Sequence, residues 1–322
     1  MAHALYEPGL GYYATSRERP TRGGDFLTAP ELHPIFRRSV ARQIEEMWQR
    51  LGEPHEFTVR EYGAGRGTLG AALPSAMRYE PVEFDAPSPA QPIVGCVLAN
   101  EFLDALPVHR VAMEDGRLHE LYVDWSGERF IEVAGEPSTD RLAAWFDHRG
   151  ISLADGQRAE VNLVMLDWLG EVSGQLERGY ALIFDYGLPA AELYGAARRT
   201  GTLRAFRSHH VGSDALAGVG RQDLTAHVDL DVLEAGARQA GFEVLGRTTQ
   251  AEFLVGCGLE ALLEEERAEA GEDWNAQLTL RSAVHRLLDP RALGGYAVVV
   301  LGGGVPAEPS LAGLSYRLPE RN

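Results

Sequence analysis

The sequence predicts an open, doubly wound α/β fold, in which helices cover both faces of a mostly parallel sheet. Short apolar runs at 94–99 and 181–184 are rich in branched residues and do not alternate with polar ones, as expected of strands buried on both faces. A strand, helix, strand order recurs along most of the chain. With 322 residues, of which 45% are hydrophobic and 24% charged, the chain can bury a core of this kind.

The first elements of this fold can be read in chain order. Residues 34–51 are expected to form a helix, because their apolar residues recur at three- and four-residue spacing, and Gly52 ends it. The short run 57–59 is expected to be a strand that leads directly into a glycine cluster. A helix is expected to begin at Thr68, limited or kinked by Pro74.

The middle of the chain is expected to carry an antiparallel insertion. Residues 108–135 alternate apolar and polar around the turn signals Glu114-Asp115-Gly116 and Ser126-Gly127-Glu128. After this region the αβ pattern returns. The later elements expected are a helix at 231–240, a strand at 242–245, helices at 259–270 and 275–288, and a last strand at 296–301.

The composition excludes several classes of function. Acidic residues outnumber basic ones by 47 to 30, and the net charge of −17 repels nucleic acid and anionic membranes. None of the basic residues is lysine, which rules out Schiff-base chemistry and a Walker-type phosphate site. Two cysteines, Cys96 and Cys257, give neither a disulfide framework nor a zinc site, and no other metal site is predicted. The N-terminus lacks a signal-peptide pattern and no apolar run could span a bilayer, so a cytoplasmic protein is expected.

The most informative stretch is a glycine loop with an acid before it. Glu61 precedes Gly63, Gly65 and Gly67, at the expected carboxyl end of the first strand, where ligands bind in open α/β sheets. A dinucleotide fingerprint would need its third glycine at position 68, which is Thr68. A pyrophosphate also prefers positive charge, whereas the sulfonium and ammonium groups of S-adenosylmethionine (SAM) favour a carboxylate such as that of Glu61.

A second acid could bind the ribose of such a ligand. Glu83 lies at the end of the expected strand 79–84, where a carboxylate can accept hydrogen bonds from both ribose hydroxyls. Glu80 lies nearby and could take this role, and either could be an ordinary exposed acid. The glycines alone could also form a tight turn without a ligand.

Six stretches in order make the sequence resemble the family of SAM-dependent methyltransferases that includes MidA and the mitochondrial complex I assembly arginine methyltransferases. The matching stretches are 11–13, 24–31, 61–67, 99–108, 185–187 and 223–229. The resemblance implies a class I (Rossmann-like) methyltransferase sheet with helices on both faces, SAM as methyl donor, and an arginine of a partner protein as acceptor. Only twelve residues separate Glu83 from Cys96, so the sheet is expected to have a shortened edge after its second strand.

Two acids after the third expected strand are candidates for binding the acceptor. A guanidinium needs carboxylates that accept paired hydrogen bonds and orient one nitrogen. Asn100, Glu101 and Asp104 follow the strand 94–99, and the two acids would project to one side if the loop begins a helical turn. The alternatives are that Asp104 caps a turn, that Glu101 bonds backbone, and that Asn100 shapes the pocket.

Two further residues are candidates for catalysis. Asp185 ends the next strand inward and would face the same crevice, although it could belong to a plain turn before Gly187. His227 is flanked by Asp223 and Asp229, which could tune its pKa for proton removal, and its alternative is a buried hydrogen-bond network.

The expected organisation is a single catalytic domain. Its segments are an N-terminal arm and helix at 1–56, a SAM-binding core at 57–107 and 179–304, an insertion at 108–178 that shapes the acceptor site, and a tail at 305–322. Asp25 and Phe26 would contact the cofactor from a lid in the N-terminal arm, or the arm could simply pack.

The leading hypothesis is a SAM-dependent methyltransferase acting on an arginine of a protein. One alternative is methylation of an oxygen or nitrogen in a small molecule, which predicts a closed apolar acceptor pocket. The other is an assembly factor that keeps the SAM fold without catalysis.

Overall fold

The computed structural model describes residues 1–15, 28–83, 86–207, 210–212 and 214–318. The strands are β1 (Phe57–Tyr62), β2 (Arg78–Val82), β3 (Ile93–Asn100), β4 (His109–Glu114), β5 (Arg117–Trp125), β6 (Phe130–Gly135), β7 (Arg158–Val161), β8 (Leu176–Asp185), β9 (Gly187–Leu188), β10 (Arg204–Arg207), β11 (His210–Gly212), β12 (Asp223–Thr225), β13 (Val228–Asp229), β14 (Glu243–Thr249) and β15 (Ala297–Gly303). The α-helices are α1 (Ala2–Tyr6), α2 (Ala29–Leu32), α3 (Pro34–Arg50), α4 (Arg141–Asp147), α5 (Leu163–Gln175), α6 (Ala190–Leu193), α7 (Leu230–Gln239), α8 (Gln250–Gly256), α9 (Leu259–Ala270) and α10 (Trp274–Leu288). In the described part of the chain, no helix is long and apolar enough to cross a membrane.

The chain divides into two compact units. The sheet unit is formed by Leu27–Phe102, Leu169–Asp185 and Gly236–Asn322. The insertion unit is formed by Met1–Phe26, Leu103–Trp168 and Tyr186–Ala235. Residues 186–235, which the sequence analysis assigned to the core, therefore belong with the insertion.

The sheet unit contains a six-stranded sheet in the order β14-β15-β8-β3-β1-β2. β2, β1, β3 and β8 run parallel, whereas β15 is antiparallel to both β8 and β14. The strands predicted from the apolar runs are confirmed, and β1, β3 and β8 are buried along most of their length. Because these strands are parallel, their carboxyl ends lie at the same end of the sheet. The residues that follow β1, β3 and β8 therefore lie near one another.

The predicted helix at 34–51 is confirmed as α3, which packs on this sheet. Its apolar stripe is buried, and the Phe36 ring meets Phe184 of β8 edge-on with centroids 5.5 Å apart. Phe253 of α8 meets Phe184 in the same manner at 5.0 Å. Edge-to-face aromatic pairs add to the burial of these rings, so Phe184 anchors both helices.

The helix expected from Thr68 is wrong. Residues Gly70–Ala72 form only a single 3-10 turn, and the backbone becomes extended at Leu73 before Pro74. Proline disfavours the helical conformation at the residue before it, which ends the turn at Leu73. Gly70 also lies close to β2, where a Cβ would lie 2.6 Å from the ring of Tyr79.

The predicted shortened edge is confirmed. β2 ends the sheet, and among the residues that the structure describes no strand lies beyond it. Arg60 on β1 is 1% exposed, and its guanidinium is fully engaged near this edge. It pairs with Glu80 at 3.1 Å and donates hydrogen bonds to the Gln91 carbonyl and to the Gln175 side chain. A buried guanidinium needs such partners, because an unpaired one would be strongly destabilising.

The insertion unit contains the predicted antiparallel sheet, in the order β6-β5-β4-β7. The turn between β4 and β5 has positive φ at Asp115 (49°) and Gly116 (72°), the geometry of a tight hairpin. The N-terminal residues belong to this unit: Leu5 is buried with Ala205 and Leu224, and Tyr13 donates to Asp223 at 2.8 Å. The predicted hairpins are thus confirmed, and residues 1–15 pack on the strands of 186–235.

Candidate active site

The glycine loop after β1 has a backbone that favours glycine. Gly63, Gly65 and Gly67 have φ of 67°, 54° and 63°, in the left-handed region. The Gly63 amide donates to the Val82 carbonyl at 2.8 Å, and a Cβ on Gly63 would lie 2.9 Å from the Phe102 ring. Glycine is therefore needed at position 63 both for its backbone conformation and for the close approach of Phe102.

Glu61 places a buried carboxylate beside this loop. It is 4% exposed, and it accepts a hydrogen bond from the Tyr79 hydroxyl at 2.6 Å. Burial raises the pKa of Glu61 from 4.5 to about 7; the hydrogen bond from Tyr79 opposes this shift and the charge of Glu83 adds to it. A buried carboxylate of this kind gains by pairing with a cation, which fits the ammonium group of SAM.

Glu83 lies at the same loop. Its Oε1 accepts a hydrogen bond from the Gly65 amide at 2.8 Å. Glu80 is instead engaged with Arg60 at the sheet edge, at 3.1 Å. The geometry therefore favours Glu83 over Glu80 as the ribose ligand, and this role stays a prediction.

Replacing Glu83 with alanine is expected to weaken SAM binding by about 1.5–3 kcal/mol, because charge-assisted hydrogen bonds to the ribose are lost. Calorimetric titration measures this difference. The matched control is Glu80→Gln, which should lower the free energy of unfolding through Arg60 and leave SAM affinity unchanged. Equal SAM affinity in Glu83→Ala and the wild type would remove Glu83 from the site.

The carboxyl end of β3 carries Asn100 and Glu101. Asn100 Nδ2 donates to Glu101 Oε1 at 3.2 Å, and its buried Oδ1 has no hydrogen-bond partner among the described residues. Glu101 Oε1 also accepts a hydrogen bond from the Ala29 amide at 3.4 Å, which agrees with the alternative that Glu101 bonds to backbone. An unsatisfied buried acceptor next to a carboxylate is suited to a ligand that donates hydrogen bonds.

The backbone of Glu101 is strained. Its φ is 51°, which a residue with a long side chain rarely adopts, and its amide is held by the Phe184 carbonyl of β8 at 2.8 Å. Such strain persists where surrounding structure enforces it, and it clusters at functional sites. Asp185 ends the neighbouring strand β8 and is 1% exposed, so both acids stand at adjacent strand ends of the sheet unit.

Asp104 does not continue a helical turn from Glu101. The positive φ of Glu101 is not helical, so the condition for projecting both acids to one side is not met. Asp104 belongs to the insertion unit, where it is 3% exposed and its carbonyl accepts from the Ala226 amide at 2.9 Å. Its pairing with Glu101 on an acceptor stays a prediction.

His227 also belongs to the insertion unit, where its ring stacks on Tyr186 with centroids 6.0 Å apart. Burial, with the positive charges of Arg198 and Arg204, lowers the pKa of His227 to about 4. Asp223 accepts a hydrogen bond from Tyr13 and Asp229 pairs with Arg149, so the predicted tuning of His227 by these two acids stays a prediction. A histidine with this pKa is neutral near pH 7 and a weak base.

Two predicted cofactor contacts, Asp25 and Phe26, lie outside the described residues. One residue that sequence reasoning missed is Tyr79. The register of the structure reveals it: Val59 pairs with Tyr79 and Glu61 with Pro81, so Glu61 and Tyr79 share one face of adjacent strands, which the sequence alone does not show.

Comparison with known proteins identifies relatives along most of the chain. The family model described as "Putative S-adenosyl-L-methionine-dependent methyltransferase" matches residues 39–86 and 75–248. The mitochondrial protein arginine methyltransferase NDUFAF7 homolog of Drosophila melanogaster is 28% identical over 91% of this chain and 78% of its own length, and the human mitochondrial NDUFAF7 is 26% identical over 91% and 76%.

A solved structure is similar over nearly the whole chain. A Burkholderia thailandensis protein with bound S-adenosylhomocysteine has a TM-score of 0.84 and 28% identity, covering 98% of this chain and 88% of that one. S-adenosylhomocysteine is what SAM becomes after losing its methyl group.

The comparisons correct one expectation from the sequence. The curated relatives named above are mitochondrial proteins, which contradicts the predicted cytoplasmic location. The prediction rested on the missing signal-peptide pattern, which bears on secretion alone.

The class I fold and the cofactor expected from the sequence are both confirmed. The matched segments cover well over half of the chain, including the glycine loop, β3, β8 and their carboxyl ends. The chain belongs to this family of S-adenosyl-L-methionine-dependent methyltransferases.

Proposed function

We propose that the protein transfers the methyl group of SAM to a nitrogen of an arginine side chain in a partner protein. The observation that carries this proposal is a pair of acids, Glu101 and Asp185, at neighbouring strand ends beside the glycine loop. Carboxylates bind a guanidinium through paired, charge-assisted hydrogen bonds. The curated relatives are named protein arginine methyltransferases, and the net charge of −17 suits a cationic acceptor.

The cofactor would be held by residues of the sheet unit. Glu61 would pair with the ammonium group, Glu83 would accept from the ribose hydroxyls, and Asn100 would offer its buried Oδ1 to a donor. When bound, SAM supplies an electrophilic methyl group on a positively charged sulfur. Because Gly63, Gly65 and Gly67 have no side chains, the backbone of the loop can approach this ligand closely.

The acceptor would be oriented by the acids. Glu101 and Asp185 would accept hydrogen bonds from the guanidinium and leave one nitrogen directed at the methyl group. The new N–C bond forms as the S–C bond breaks, and the nitrogen gives up a proton to a carboxylate or to water. The roles expected at the acceptor for Asp104 and for the 108–178 insertion stay predictions.

His227 has a limited role in this scheme. Its pKa of about 4 leaves it neutral near pH 7, and the scheme assigns it no proton transfer.

The test is to identify the acceptor directly. Purified protein is incubated with isotopically labelled SAM and a native lysate, and mass spectrometry locates the label. The expected result is a labelled arginine in a protein, absent when the Glu101→Gln variant replaces the wild type. Label found only in small molecules would overturn the proposal in favour of a small-molecule acceptor, and no transfer despite SAM binding would favour an assembly factor.

A further inference from the structure

We propose that Tyr79 is a positioning residue for SAM binding: its hydroxyl orients the Glu61 carboxylate toward the cofactor, and its ring closes the end of the glycine loop. The inference rests on the proposed role of Glu61 as the ligand of the SAM ammonium group. It adds to that role a residue that does not itself touch the methyl group, and that acts through Glu61.

The first support is the geometry of the pair. The Tyr79 hydroxyl donates to Glu61 Oε2 at 2.6 Å, a short distance typical of a charge-assisted hydrogen bond. Both side chains lie on one face of the adjacent parallel strands β1 and β2. This bond occupies one oxygen of the carboxylate and fixes its rotation, so the second oxygen has a defined direction.

The second support is the contact of the ring with the loop. A Cβ on Gly67 would lie 3.3 Å from the Tyr79 hydroxyl, and one on Gly70 would lie 2.6 Å from the ring. The same side chain therefore touches the last glycine of the loop, the turn that follows it and the acid that precedes it. A single residue couples the position of the loop to that of the carboxylate.

The electrostatic surroundings of Glu61 make the hydroxyl important. Among the described residues, the titratable groups acting on Glu61 are Tyr79 and Glu83, both from β2 or the segment after it. Its register partners on the flanking strands, Pro81 and Leu98, are apolar. Burial and the charge of Glu83 both raise the pKa of Glu61. The hydrogen bond from Tyr79 lowers it and so favours the ionised carboxylate.

The hydroxyl remains a donor over the whole working pH range. Burial, followed by the hydrogen bond to Glu61, holds the pKa of Tyr79 well above its usual value. Tyr79 therefore does not titrate where Glu61 does. The loss of SAM affinity toward acid pH is expected to have its midpoint near the pKa of Glu61, whereas any loss at alkaline pH reports the SAM ammonium group itself.

The experiment measures the dissociation constant of SAM from pH 5.5 to 9.5 in the wild type and in Tyr79→Phe, which keeps the ring. The expected result is an upward shift of the midpoint by about one pH unit, because a hydrogen bond to a charged group is lost. Relative to the wild type, affinity should fall about fivefold near pH 7 and roughly tenfold below pH 6, and it should return to within a few fold at high pH.

Tyr62→Phe is the matched control. Tyr62 follows Glu61 on β1, and its hydroxyl donates to Gln175 at 2.8 Å, on the opposite face of the strand. Loss of this hydroxyl should leave the midpoint in place.

The outcomes separate this inference from the role on which it rests. An unchanged midpoint in Tyr79→Phe, or an equal loss of affinity at every pH, would overturn the positioning role and leave Tyr79 with packing alone. Glu61→Gln should abolish the acid midpoint in either case. If Glu61→Gln binds SAM as tightly as the wild type, the role of Glu61 itself fails.

Discussion

Replacing Glu101 with glutamine is expected to lower the rate of methyl transfer by roughly 100-fold or more, the scale of removing one electrostatic contact from a transition state. The variant keeps the size of the side chain and an oxygen for the Ala29 amide and Asn100 Nδ2, and it loses the charge that stabilises the guanidinium. SAM affinity should change by no more than a few fold, because Glu61 and Glu83 are unaltered. Turnover and SAM titration on the same preparation measure the two effects.

A matched control is available for the unusual backbone of Glu101. Glu53 is also a glutamate with left-handed φ, at 55°, but it is exposed and precedes β1, at the opposite end of the strands. Glu53→Gln should therefore change neither turnover nor SAM affinity. Full activity in Glu101→Gln would contradict the arginine-binding role and favour a small-molecule acceptor. Loss of SAM binding in that variant would make Glu101 a cofactor ligand.

Glu61→Gln should have opposite effects on function and stability. SAM affinity at pH 8 is expected to fall by at least tenfold, because the ion pair with the ammonium group is lost. The free energy of unfolding at pH 8 is expected to rise by roughly 3 kcal/mol at most, since Glu61 titrates at about 7 in the folded protein against an ordinary value of 4.5. Calorimetric titration and urea denaturation measure the two changes.

The sign follows from the direction of the pKa shift. Because the folded protein holds the Glu61 proton more tightly than the unfolded chain, its favourable contribution is complete below about pH 4.5 and is lost as the pH rises through about 7. Wild type and Glu61→Gln should therefore differ least in acid and most above pH 7. A variant that is less stable than the wild type at pH 8 would show that the ionised carboxylate is satisfied in the free protein.

The parts of the fold that could be predicted are those encoded by neighbouring residues. β3 and β8 are short apolar runs buried on both faces, α3 is a regular apolar stripe, and the turn at Asp115-Gly116 has its own conformational signature. The shortened edge could also be predicted, because it follows from a count of residues between Glu83 and Cys96.

The parts that could not be predicted depend on contacts between distant residues. The turn that replaces the helix expected at Thr68 lies close to the ring of Tyr79 on β2, and the pKa of His227 is lowered by burial and by arginines more than twenty residues away. The strain at Glu101 is held by a carbonyl of β8, which no pattern around residue 101 reveals. The acids of the candidate site could be predicted from the sequence, but their contacts could be seen only in the structure.

The strand order has a consequence for how the chain folds during synthesis. β14 leaves the ribosome before β15, yet it reaches the sheet only through β15, which lies between it and β8. A nascent chain that ends before residue 297 can therefore assemble β2, β1, β3 and β8, with the apolar edge of β8 unpaired and β14 without a partner. Unpaired strand edges promote aggregation, so this interval of translation is when the growing chain most needs a chaperone.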